Sequence, residues 1–373
     1  MALSKVDLAN QVENQLPQNL VANNVNFRNI IINGDMSIAQ RGQQTGLSTG
    51  YTECDRFALY QSGTSVQFTT DQDTSVPSGQ NFISSLKLTL TTADTSISGS
   101  NEVQLYQNVE AQNLQYLGFG TSSAKSLVLS FWVKSSVAGD YVLWIYKPDT
   151  TARQIAKLYN IASADTWQKV TFEIPADTDS GATIANDNGN GLSIAWQLAA
   201  GSDWTSGTLP TAWENLVNAN RYVGQNNTFI GTTNATFFLT GVQLEAGTTA
   251  SDFEFLPVDV NLARCQRYYH LVASGSGVNI NFINYNTASN TTSRVQLPTT
   301  MRANPTLDIT TGTGYYRAYR AGGSDDINAF ILDTSRPNYM YFYDNSTSSG
   351  TAGDSGQLNT NNSSSYLAAD AEL

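Results

Sequence analysis

Apolar residues along this chain recur mostly at every second position, the period of a strand that buries one face. Residues 84–92 place Leu86, Leu88 and Leu90 on one side. Residues 126–135 place Leu127, Leu129, Phe131 and Val133 on one face, with Val128 and Trp132 on the other. The series continues at 141–146 and 170–174, alternates Leu192, Ile194, Trp196 and Leu198, and closes at 235–244. Between the runs stand Gly, Asn, Asp and Ser clusters such as residues 186–191, which suit tight turns. Many short strands with turn punctuation predict an all-β chain, with a jelly-roll β-sandwich over residues 27–257.

The pattern changes at residues 258–272. Val258, Leu262, Cys265, Tyr269 and Val272 are spaced four, three, four and three apart, which predicts a connecting helix with a heptad seam. A helix of about four turns is marginal alone, so it must pack. Docking on the sandwich is one outcome; a trimer seam around a symmetry axis is the other. After a Gly/Ser break, residues 273–373 predict a second, small β domain. There Val278, Ile280 and Phe282 alternate, and Tyr339, Tyr341 and Tyr343 share a face opposite Met340 and Phe342. Residues 1–26 are polar, with spaced leucines and valines interrupted by Pro17; they predict an attachment arm that gains order against a partner.

Composition narrows the function. Charged residues are 13% of the chain, about half the usual globular share. Lys plus Arg number 19 against 31 acids, a net charge of −12, with no basic cluster. Nucleic-acid binding, which needs a cationic stripe, is not expected. Membrane insertion is not expected either, since no apolar run is long enough. The opening residues lack the apolar core of a signal peptide, and Cys54 and Cys265 read as free buried thiols; both predict folding in a reducing cytoplasm.

The single histidine, His270, has no nucleophile motif beside it, so catalysis is not expected. Asp177, Asp179, Asp187, Asp203 and Glu214 could meet at one loop edge as a glycosidase pair, but solvated turn residues are the simpler identity. Asp187, Asn188 and Asn190 offer hard oxygens to a structural calcium, or form an Asn/Gly turn. No other cofactor is expected. Trp204, Trp213 and Tyr222 could form a flat glycan platform or cap the sandwich core. Tyr315, Tyr316, Arg317, Tyr319 and Arg320 form a run suited to a subunit interface or a receptor contact.

Several stretches resemble one family. Residues 29–37 (Asn-Ile-Ile-Ile-Asn-Gly-Asp-Met-Ser), with Gln40-Arg41-Gly42, resemble the opening of jelly-roll domains in structural proteins of tailed bacteriophages and prophages. Residues 129–136 and 164–169 are similar to their central strands, and residues 238–247 to their closing strand. Residues 264–269 resemble the connector before a C-terminal β domain, which is itself similar at 297–305 and at Ala371-Glu372-Leu373. The wider relatives are carbohydrate-binding modules; their calcium-holding acids are replaced here by Ser37 and Gly241. The resemblance implies a virion component, assembled in the host cytoplasm. It would be a tail fibre or appendage, often a homotrimer, attached to other virion proteins through its arm and touching host-surface glycans. A decoration protein with no receptor role is the alternative. A polysaccharide depolymerase is a weaker one, because such enzymes usually carry repeats and none is evident.

Overall fold

Alternation determines most of the architecture. The computed structural model describes residues 27–345 and 347–373; the predicted attachment arm, residues 1–26, lies outside them. The first unit contains strands β1 (Gln44–Leu47), β2 (Gly50–Tyr51), β3 (Ala58–Ser62), β4 (Gln67–Asp73), β5 (Ser85–Thr92), β6 (Glu102–Glu110) and β7 (Leu127–Ser135). It continues with β8 (Gly139–Lys147), β9 (Arg153–Ile161), β10 (Gln168–Ile174), β11 (Asn190–Ala200), β12 (Glu214–Asn215) and β13 (Thr236–Ala246). They form two antiparallel sheets, six-stranded in the order β1-β4-β5-β13-β7-β10 and seven-stranded in the order β12-β9-β8-β11-β6-β3-β2. This is the jelly-roll β-sandwich.

The predicted inward positions fill its core. Leu86, Leu88, Leu127, Leu129, Phe131, Leu192, Ile194 and Trp196 are buried there together. The opening segment is stitched across by amides. The Asn29 side chain donates to the Val242 carbonyl at 3.0 Å and accepts from Leu244 N at 3.1 Å. Asn33 Nδ2 bonds the carbonyls of Ile38 and Asp55. Gly241 lies in β13 at φ +61, and a Cβ there would meet the Phe82 ring at 2.6 Å. The closing strand therefore requires glycine at this position.

Helix α1 (Val258–Gln266) is shorter than the heptad predicted. The seam does not form. Val258 stays 68% exposed, whereas Cys265 is buried against Ile32, Ile38 and Tyr268. Tyr269 and Val272 lie in a strand, β14 (Tyr269–Ser274). Pairing of β14 with β23 (Tyr366–Asp370) satisfies the backbone that further helix would have used. Leu262, Cys265, Tyr269 and Val272 therefore pack within the chain at several places, not along one helical stripe, and Val258 stays outside that packing.

The second unit adds β15 (Asn279–Thr287), β16 (Asn290–Gln296), β17 (Thr306–Ile309), β18 (Tyr316–Arg320), β19 (Gly323–Ile327), β20 (Ile331–Arg336), β21 (Tyr339–Asp344) and β22 (Ser355–Thr360). A small sheet runs β14-β23-β17, and a seven-stranded one β19-β18-β22-β15-β16-β21-β20. Ile283, Tyr316, Ile327, Met340, Phe342 and Leu358 share its core.

Arginines join the two units. Arg56, only 1% exposed, lies 3.5 Å from the Tyr268 ring centre, donates to the Asn108 carbonyl at 2.8 Å and pairs with Glu372. Arg41 lies 3.6 Å from the Tyr269 ring centre and also reaches Glu372, at 3.0 Å. Arg267 grips Glu110 with two bonds of 2.8 Å. Arg302 donates to the carbonyls of Asn188 and Glu372, each at 2.7 Å.

Candidate functional site

The seven-stranded sheet of the sandwich has an outer face that register defines. Tyr106 pairs with Ala195, Ala195 with Trp144, and Trp144 with Ala156, so these four side chains form one row. Asn108, Ser193, Tyr146 and Gln154 form the row on one side of it, and Tyr60, Gln104, Gln197, Val142 and Leu158 the row on the other. Aromatic rings and short amides thus alternate across the face.

The excursion between β11 and β13 covers one side of it. Within this excursion Ser202–Thr205 forms a single helical turn that carries Trp204. The Trp204 indole donates to the Ser100 carbonyl at 3.1 Å. Arg221 lies 4.1 Å from the Trp144 ring centre and 4.8 Å from that of Trp204, tying the excursion to the sheet. Trp144 in turn stacks on Tyr146, with ring centres 5.0 Å apart and planes 12° from parallel. Leu373 bounds the other side, its carbonyl accepting from Asn108 Nδ2 at 2.7 Å and from the Tyr51 hydroxyl at 2.9 Å. What stays open is a strip of Tyr60, Tyr106, Tyr146 and Trp204, all partly or well exposed.

The predicted platform divides. Trp204 belongs to this face. Tyr222 joins the same cluster but is fully buried, its hydroxyl donating to Glu102 at 3.0 Å. Burial raises its pKa, so it serves as a neutral donor and structural prop, not as a contact surface. Trp213 does not join them: it packs edge-on to Phe119, with centres 5.8 Å apart, beside the main core and donates to the Pro175 carbonyl. Sequence reasoning missed Tyr60, Tyr106 and Tyr146; the signal was the strand period, since each faces opposite to its core-facing neighbours.

The other candidates separate as well. Asp187 accepts from Gly189 N at 2.8 Å, Asn188 exchanges bonds with Arg302, and Asn190 bonds Asn108 and Ser193. Their polar groups serve a turn and the contact between units; among the described residues no cluster of three or more His, Cys, Asp or Glu is placed to hold a metal. Of the scattered acids, Asp177 and Asp179 share Arg153, the second at 3.5 Å. Arg153 clamps Asp177, with one bond of 2.9 Å; Asp179 caps the 180–182 turn; Glu214 accepts from Gln154 and Asn220. His270 lies 3.3 Å from Gln266, and burial lowers its pKa.

In the second unit Tyr316 is fully buried, and Arg320 turns inward to Asp325 at 3.1 Å. Tyr315 packs partly buried on the core, while Arg317 pairs with Asp326 at 2.6 Å and Tyr319 is 44% exposed. The run is thus split by strand alternation.

No protein-family model matches the chain, and no curated protein matches it. Among solved structures it is similar to the enzymatically active domain of bacteriophage CBA120 tailspike protein 4, at 14% identity and TM-score 0.31. That match covers 59% of this chain and 22% of the other. A family 11 carbohydrate-binding module from Clostridium thermocellum, in complex with a β-1,3-1,4-mixed-linked tetrasaccharide, is 12% identical at TM-score 0.27, covering 56% and 98%. TmCBM61 in complex with β-1,4-galactotriose is 10% identical at TM-score 0.28, covering 59% and 99%. The likenesses are of fold.

Proposed function

We propose that this protein is a non-catalytic structural subunit of a tailed-phage particle that recognises glycans on the open face of its sandwich. The face carries the reading. Tyr60, Tyr106, Tyr146 and Trp204 offer ring area for the apolar side of sugar rings, and Gln104 lies among them to bond hydroxyls. The resemblance of residues 29–37, 129–136 and 238–247 to phage jelly-roll domains supports the particle assignment. In that setting residues 1–26 are the anchor to other virion proteins. A trimer, if formed, uses a surface other than the predicted helical seam, because Cys265 and Tyr269 are buried within the chain.

The deciding experiment measures binding of the purified protein to a glycan array and to host cells, beside Trp204→Ala and Tyr146→Ala variants. The expectation is retention on a restricted set of glycans that both variants weaken about tenfold, the effect of losing one stacking contact worth roughly 1.4 kcal/mol. No retention on any glycan or cell, with firm attachment to particles, would assign a decoration role instead.

A further inference from the structure

The outer face of the large sheet in the second unit carries a different chemistry. Register places Tyr319 beside Gln357, Gln357 beside Phe282, and Arg294 beside Tyr341. The hydrogen bonds between β15 and β16 set Phe282 and Arg294 next to each other, since Ser293 Oγ bonds the Phe282 carbonyl. One row therefore crosses the sheet from Tyr319 to Tyr341. Phe282 is 74% exposed, a cost no packed neighbour offsets. Along β21, Tyr339, Tyr341 and Tyr343 follow on the same face, about 7 Å apart as alternate residues of a strand must be.

Two guanidiniums flank Tyr339. Arg336 is its direct cross-strand partner, and Arg294 lies 4.1 Å from its ring centre. Among the described residues, Arg28, Arg41, Arg56, Arg153, Arg221, Arg267, Arg317 and Arg320 have acidic partners. Arg264 and Arg302 bond carbonyls. Arg294 has neither, only the tyrosine ring, and Arg336 bonds only the adjacent Ser335 carbonyl. In a chain of net charge −12, two unpaired guanidiniums on one aromatic face are exceptional. A guanidinium resting over a ring with no acid bound keeps its donor fork available for a planar, two-oxygen anion. Asp326 is already bound to Arg317, and Asp333 lies on the edge strand, accepting from Thr334.

We propose that this face binds an acidic polysaccharide, with Phe282 and the tyrosines under the sugar rings and Arg294 and Arg336 on its carboxylates. The surface is separate from the sandwich face and does not depend on its reading. Occupation by a second copy of this chain is disfavoured, because the copy would bring the same two cations to the contact.

Native affinity electrophoresis of the full chain in gels containing alginate, dextran or poly-glutamate tests it. Alginate should retard the protein and neutral dextran should not. Arg294→Gln and Phe282→Ala should each weaken retardation about tenfold, as loss of one charge-assisted pair or one stacked ring does. Trp204→Ala should leave alginate retardation unchanged, which separates this face from the sandwich site. Both substituted side chains are exposed, and unchanged circular dichroism confirms their folds. The proposal is overturned if alginate fails to retard the protein, or if Arg294→Gln binds it equally well. It is also overturned if poly-glutamate, which has carboxylates but no pyranose rings, binds as strongly as alginate, or if light scattering shows self-association that Phe282→Ala abolishes.

Discussion

Replacing Glu372 by glutamine tests how the two units are held together. The Glu372 carboxylate is 5% exposed and faces two guanidiniums, those of Arg56 and Arg41, themselves 1% and 8% exposed. Removing one member of a buried pair costs about 3–5 kcal/mol, because the remaining charge loses its partner away from water. Arg56 keeps the Tyr268 ring and the Asn108 carbonyl, and Arg41 keeps Asp370 at 3.7 Å and the Tyr269 ring. The lower end of that range, about 3 kcal/mol, is therefore expected. All six tryptophans lie in the sandwich, between Trp132 and Trp213, so indole fluorescence reports that unit alone. Urea unfolding of the native chain should show coincident transitions by fluorescence and far-ultraviolet circular dichroism. In Glu372→Gln the dichroism change should begin at lower urea than the fluorescence change, as the second unit loses its dock. Coincident curves within about 0.5 kcal/mol of the native chain, the scale of an ordinary surface change, would refute the account.

Three further outcomes follow. Lys147 is fully buried, its ammonium enclosed by the carbonyls of Asp149, Thr151, Gly181 and Thr183. Lys147→Met keeps the bulk but strands those acceptors, and should cost about 3 kcal/mol in urea unfolding. Burial, working against Arg41 and the Gln40 bonds, raises the Asp55 pKa from 3.8 to about 6. The folded chain then holds a proton that the unfolded chain has released, so this contribution is complete below 3.8 and is lost as pH rises through about 6. Asp55→Asn should flatten the fall in urea midpoint between those values. Glu110 has the opposite sign: burial raises its pKa, but bonds from Arg267 and Tyr268 outweigh that and hold it below 4.5. Its contribution should be present above 4.5 and lost as pH falls through the lowered value, a loss absent in Glu110→Gln.

The sandwich was legible because its strands are half-buried on one sheet face, and alternation is the direct trace of that. Leu127, Leu129, Phe131 and Val133 were read correctly for this reason. The same signal failed at 258–272, where four-and-three spacing was met by a helix ending at Gln266 and a strand starting at Tyr269. The helical spacing holds only as far as Cys265, and a long-range partner, β23, draws the residues from Tyr269 onward into a strand. Trp204 and Tyr222 were recognised as neighbours, but not that one would be a prop and the other a surface, since burial depends on the excursion that folds over them. Arg56 and Glu372 are 316 positions apart, and nothing local marks either as half of a buried pair.

Strand β23 lies between β14 and β17 in its sheet and leads into the residues that contact Arg56, Arg41 and Arg302. It is also the last of the described strands to leave the ribosome. Until it arrives, β14 and β17 have no partner between them, and Arg56 and Arg41 lack Glu372. A chain broken off upstream of Tyr366 would carry a finished sandwich beside an open, undocked second unit.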